Sequence, residues 1–75
     1  MPAMWEWNAG SRWRGITDSE NRALAHAESH LAVGETARVE KVISSCGHSN
    51  PLGLGWTATR MEPETVEWRP LPPTA

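Results

Sequence analysis

The sequence predicts an α+β domain in which a single helix packs across a small antiparallel sheet, with elements in the order β-β-α-β-β-β. Three observations carry this. Apolar and polar residues alternate at Trp5-Glu6-Trp7 and again at Thr65-Val66-Glu67-Trp68-Arg69, the period of a half-buried strand. Residues 20–32 are instead rich in Ala, Leu and Glu and free of Pro and Gly, which suits a helix. The connections are short, and 75 residues are enough for one domain and no more.

The elements follow in chain order. After Trp5-Glu6-Trp7, the stretch Asn8-Ala9-Gly10-Ser11 places a glycine where a short hairpin loop needs a positive φ. Arg12-Trp13-Arg14-Gly15-Ile16 then reads as the returning strand. In that register Trp5, Trp7 and Trp13 share one face and the two arginines take the other. Thr17-Asp18-Ser19-Glu20 has the form of a capping box, and Val33-Gly34 supplies a helix stop. Leu24, Ala27 and Leu31, with Ala23 beside them, make a narrow apolar stripe wide enough to lay one helix on one sheet. Arg22, His26, Ser29 and Val33 lie on the far side of that helix. Thr36 to Ser45 is β-rich, but its alternation breaks at Glu40-Lys41, where a bulge would return Val39 and Val42 to one face. Residues 56–61 and 65–69 read as two further strands about a tight Glu62-Pro63-Glu64 turn, with Val66 and Trp68 facing inward. The domain is expected to span residues 1–69. Residues 70–75, Pro-Leu-Pro-Pro-Thr-Ala, are expected to form an extended mobile tail, because proline cannot donate to a ladder.

Composition narrows the function. Seven basic against nine acidic residues give a net charge of −2, which argues against a strongly cationic binder of nucleic acid or membrane surface. No stretch of ~18 apolar residues is present to span a bilayer. The N-terminal residues lack the basic and apolar segments of a secretory signal. One cysteine builds no intrachain disulfide and suits a reducing, cytoplasmic setting. There are five tryptophans but no Phe or Tyr. At roughly 200 Å² buried per indole, five could supply most of a small core.

Three constellations are candidates for function. The first is a protein-binding surface made from the Trp5, Trp7 and Trp13 hairpin together with Leu52 and Leu54 of a ten-residue loop, Cys46–Gly55. A loop that long in so small a domain is often functional. Tryptophan left uncovered by one helix would also favour a symmetric homodimer. The second is nucleic-acid binding through Arg12, Arg14, Arg60 and Arg69 on the outer sheet face, partly cancelled by Glu6 and Glu67. The third is a zinc site from His26 and His30, four apart on a helix, with Cys46 and His48 as further ligands. The alternative for this pair is two solvated histidines on the polar helix face. Cys46 and His48 alone lack an orienting third group for nucleophilic catalysis. No catalytic residue and no cofactor is therefore assigned.

The string Trp5-x-Trp7 … Gly10-x-Arg12-Trp13-x-Gly15-Ile16-Thr17-Asp18, then Ala37-Arg38-Val39-Glu40 and Gly55-Trp56-Thr57-Ala58-x-Arg60, resembles small uncharacterised actinobacterial proteins associated with integrated plasmids and other mobile elements. The resemblance implies a GC-rich source, in line with six arginines to one lysine. It carries no settled activity to any residue. Taken together, the sequence points to a small, cytoplasmic, non-enzymatic accessory or regulatory protein that acts by binding another protein.

Overall fold

The computed structural model describes residues 3–45 and 48–72. It contains β1 (Ala3–Ala9), β2 (Trp13–Thr17), α1 (Glu20–His30), β3 (Thr36–Ser45), β4 (His48–Thr59) and β5 (Arg69–Pro70). The strands form one antiparallel sheet in the order β2-β1-β3-β4-β5. The expected α+β class and element order are both present. α1 packs over β1, β2 and β3, and among the described residues the opposite sheet face carries no helix.

Local chemistry explains most of this. Gly10 takes φ 63° in the turn between β1 and β2, and its N–H donates to Thr36 O at 3.0 Å. That bond ties the hairpin to the start of β3. The helix is capped two residues later than the capping box implied. Ser19 is the N-cap, and its hydroxyl accepts from Arg22 N at 3.4 Å; Thr17 is instead the last residue of β2. At the other end Leu31 leaves helical geometry and drops into the core, 5% exposed.

The core is built as much from alanine as from tryptophan. Ala9, Ala23, Ala27 and Ala37 are wholly buried beside Val39, Leu31 and Trp7. With no side chain beyond Cβ at the contact, the helix can approach the sheet closely. Of the five tryptophans only Trp7 is fully buried. Trp5 and Trp68 pack against the cluster part-buried, as does Val66, and Trp13 is half exposed. The expectation that tryptophan supplies most of the core is thus too strong.

Three further expectations change. First, residues 48–55 are not loop but the first part of β4, paired with β3 from Ser45↔His48 to Val42↔Pro51 and again from Glu40↔Gly55. Second, an irregularity does fall between Glu40 and Val42, yet the surplus residues belong to β4. There 52–54 oppose Lys41 alone, while β3 runs unbroken against β1. Alternation therefore turns Val42 away from the helix, and although only 2% exposed it lies outside the helix-side cluster. Third, residues 65–68 form no strand beyond an isolated bridge, Glu62↔Thr65. Val66 and Trp68 face inward as expected, but the segment has no strand partner there. Pairing resumes at Arg69 and Pro70, and Leu71 N donates to Gly55 O at 3.0 Å, so the start of the supposed tail is a short edge strand. Proline is tolerated there because an edge needs no outward donor.

Arg60 fastens these parts together. Its backbone N–H donates to Glu35 O at 3.1 Å, and its carbonyl accepts from Gly34 N at 2.7 Å. The guanidinium donates from Nη2 to Glu28 O at 2.7 Å and from Nη1 to Pro63 O. The Glu28 carbonyl in the last turn of the helix, which also accepts the Leu31 N–H at 3.3 Å, thereby gains a charged donor. Arg60→Met keeps the aliphatic stem and removes both charged bonds. It is expected to lower stability by about 2–3 kcal/mol, read as a reduced urea midpoint at unchanged slope.

Candidate protein-docking edge

The two edges of the sheet differ. β5 is two residues long, ends in proline and covers only Trp56 and Thr57 of β4; the rest of that side is the outer edge of β4, which Pro51 interrupts, and proline blunts an edge. β2 has five residues and no proline, and Trp13 and Ile16 on it are 49% and 50% exposed.

The β1–β2 register pairs Trp5 with Thr17, Trp7 with Gly15 and Ala9 with Trp13. The three hairpin tryptophans therefore share the helix-side face, as expected. Gly15 is what allows Trp7 to lie flat. A Cβ on Gly15 would stand 2.8 Å from Trp7 Nε1 and 2.9 Å from Cε2, so the indole rests on bare backbone of the neighbouring strand. This is the aromatic cover of an edge glycine.

Above that indole the helix adds a second layer. His26 and His30 are one turn apart and so project from the same side of α1. Their rings stack on Trp7 with centroids 5.6 and 5.8 Å away, tilted by 16° and 12°. His30 also stacks on Trp13 at 4.2 Å and 10°. The histidines are thus not simply solvated on a polar face. They form an aromatic bridge that seats the helix on the hairpin, in the offset-stacked range. Gly15 opposite Trp7 was the signal in the sequence that a flat indole, and something stacked on it, belonged here.

The remaining expected residues fall elsewhere. Leu54 is exposed, but β4 stands three strand spacings from β2, about 14 Å, so it does not join the Trp13 surface. Cys46 and the side chains of His48 and Leu52 lie outside the described residues. Among the described residues no group of three or more metal-ligating side chains comes together. His26 and His30 on their own supply two ligands at most, their ring faces already engaged with tryptophan.

The arginines divide. Register aligns Arg14, Asn8, Arg38, Thr57 and Arg69 in a single row across all five strands, on the face opposite the helix. Arg14 and Arg69 thus lie on one face and in one row but at opposite edges of the sheet, four strand spacings or about 19 Å apart, with Arg38, which sequence reading missed, between them. Arg12 sits in the β1–β2 turn beside the row. Arg60 does not belong to it, because its guanidinium is spent on backbone carbonyls. The adjacent row carries Glu6 and Glu40 in direct register, and Arg38 pairs with Glu40 at 3.3 Å. No tryptophan lies on this face, since the register puts Trp5, Trp7, Trp13 and Trp56 on the other. The outer face is consequently striped in charge and lacks a stacking platform for bases.

No protein-family model, curated protein or solved structure matches the chain. The actinobacterial resemblance rests on the quoted residues alone. Among the described residues no helix is long and apolar enough to cross a membrane.

Proposed function

We propose that this chain is a small non-enzymatic accessory protein that binds a protein partner by strand addition at β2, with Trp13 as its anchor. The observation that supports this most is the asymmetry of the sheet: on one side the outer backbone of β4 and β5 is interrupted by Pro51 and Pro70, while the other edge, β2, is proline-free with a half-exposed tryptophan and isoleucine. An extended segment that pairs with β2 would satisfy its outward backbone groups and cover both side chains, the mode used in β-augmentation. A cytoplasmic setting belongs to the same reading, on the strength of the single cysteine.

Nucleic-acid binding has less support. The arginine row alternates with a glutamate row, the face has no aromatic group, and the net charge is −2. A photo-crosslinking amino acid at position 13, in cells that make the protein naturally, tests the proposal. A discrete crosslinked protein from position 13, and none from the exposed helix position Ala25, is the expected result. Equal crosslinking from the two positions, or none from position 13, would overturn it.

A further inference from the structure

We infer that the segment received by β2 is an acidic strand, with carboxylates set against Arg14 and Arg12 and an aromatic or long aliphatic residue between them against Trp13. The inference rests on the strand-addition reading above and specifies its partner.

The residues from Arg12 to Thr17 hold two guanidinium groups and no carboxylate, in a chain whose net charge is −2. Of the other arginines of the sheet and its connections, Arg69 is exposed but stands at the far edge, on β5. Arg38 is paired with Glu40, and Arg60 is engaged with two carbonyls. Arg12 and Arg14 are exposed and make no salt bridge among the described residues. The nearest acidic position in register is Glu6, which lies opposite Ile16, while Arg14 itself faces Asn8.

Strand alternation then sets the order of the partner's residues. Trp13 and Gly15 face the helix side, Arg14 and Ile16 the outer side. A strand added antiparallel to β2 reads, from its N-terminus, apolar opposite Ile16, free opposite Gly15, acidic opposite Arg14, aromatic opposite Trp13 and acidic opposite Arg12. Opposite charges and aromatic pairs directly across a ladder are the favourable combinations. The same charges argue against a second copy of this chain as occupant. Pairing β2 with itself would gather four guanidinium groups at one seam, the device by which natural edges resist self-pairing. The homodimer through the hairpin expected from the tryptophans is therefore not the favoured occupant of this edge.

The test is a titration of the full chain with two synthetic nonapeptides, followed through the backbone amide resonances of β2. One contains Ile-Thr-Glu-Trp-Glu at its centre, the other Ile-Thr-Lys-Trp-Lys. The acidic peptide is expected to shift the β2 amides and to bind on the order of tenfold more tightly at low salt, as two exposed ion pairs allow. The preference should shrink at about 0.5 M salt, where the screening length is only a few ångströms. Arg14→Glu is expected to abolish or invert the preference, and its own amide spectrum reports whether it is folded. Equal binding of both peptides at β2 would overturn the acidic specificity and leave strand addition standing. Shifts confined to other elements, or no binding of either peptide, would overturn both.

Discussion

Gly55→Ala is expected to lower stability by about 3 kcal/mol or more, at the upper end of overpacking effects. A Cβ on Gly55 would stand 1.9 Å from Val39 O, 2.8 Å from Glu40 Cα and 2.9 Å from Val39 C. All three are backbone atoms of β3, and none can swing away as a side chain does. Gly55 is also the residue at which β4 returns to register with β3 after the Glu40/Val42 irregularity, and its carbonyl accepts Leu71 N. Alanine would thus push β4 off β3 and loosen the attachment of β5 in one step. For a domain of this size total stability is about 4–11 kcal/mol, so the variant should melt at a far lower urea concentration or fail to fold. Gly34→Ala is the control. Gly34 has φ 89° with open space around its Cβ position, and only the left-handed backbone cost of about 1–2 kcal/mol applies. If the two alanine variants melt together, close backbone approach is not what requires glycine at 55.

Gly55 also shows where sequence reading stops. Glycine and Pro51 depress the strand signal over residues 48–55, so this half of β4 reads as loop; it is extended because β3 supplies a backbone partner, and that partnership is non-local. The error at residues 65–68 is the reverse. Val66 and Trp68 alternate because both pack on the core, but side-chain alternation makes no strand without a ladder beside it. By contrast the helix was legible, because the polar run Thr17–Glu20, the Leu24, Ala27 and Leu31 stripe with Ala23 beside it, and Gly34 act locally and agree, although the cap itself is Ser19 and not Thr17. The hairpin was legible for the same reason: Trp5, Trp7 and Trp13 alternate about a glycine turn. What the hairpin does could not be read so directly. Whether each indole is covered depends on the register that sets Trp7 over Gly15 and Trp13 beyond it. The roles of His26, His30 and Arg60 depend on which backbone or ring the fold brings to them, and one-dimensional spacing does not carry that. Arg38 was missed because its place in the row with Arg14 and Arg69 follows only from pairing across five strands.

The distinction between Trp7 and Trp13 yields the second large effect. Trp7→Ala is expected to cost about 3–5 kcal/mol, as for other buried tryptophans. The indole is 8% exposed, covers Gly15, and carries both histidines of the helix on its face. Its loss removes the core contact and the surface on which α1 is seated. Trp13→Ala should be far milder. Trp13 is 49% exposed and among the described residues its one aromatic partner is His30, so about 1 kcal/mol of stacking is at stake. In thermal melts that is a fall of about 4–8 °C for a domain of this length, against near-complete unfolding for the Trp7 variant. A tryptophan whose removal barely weakens the fold while abolishing the peptide-induced shifts of the β2 amides is held in place for binding. If Trp13→Ala proved as destabilising as Trp7→Ala, the exposed indole would belong to the core after all. The β2 edge would then lose its anchor, leaving Ile16 and the two arginines as the groups by which a partner strand could be recognised.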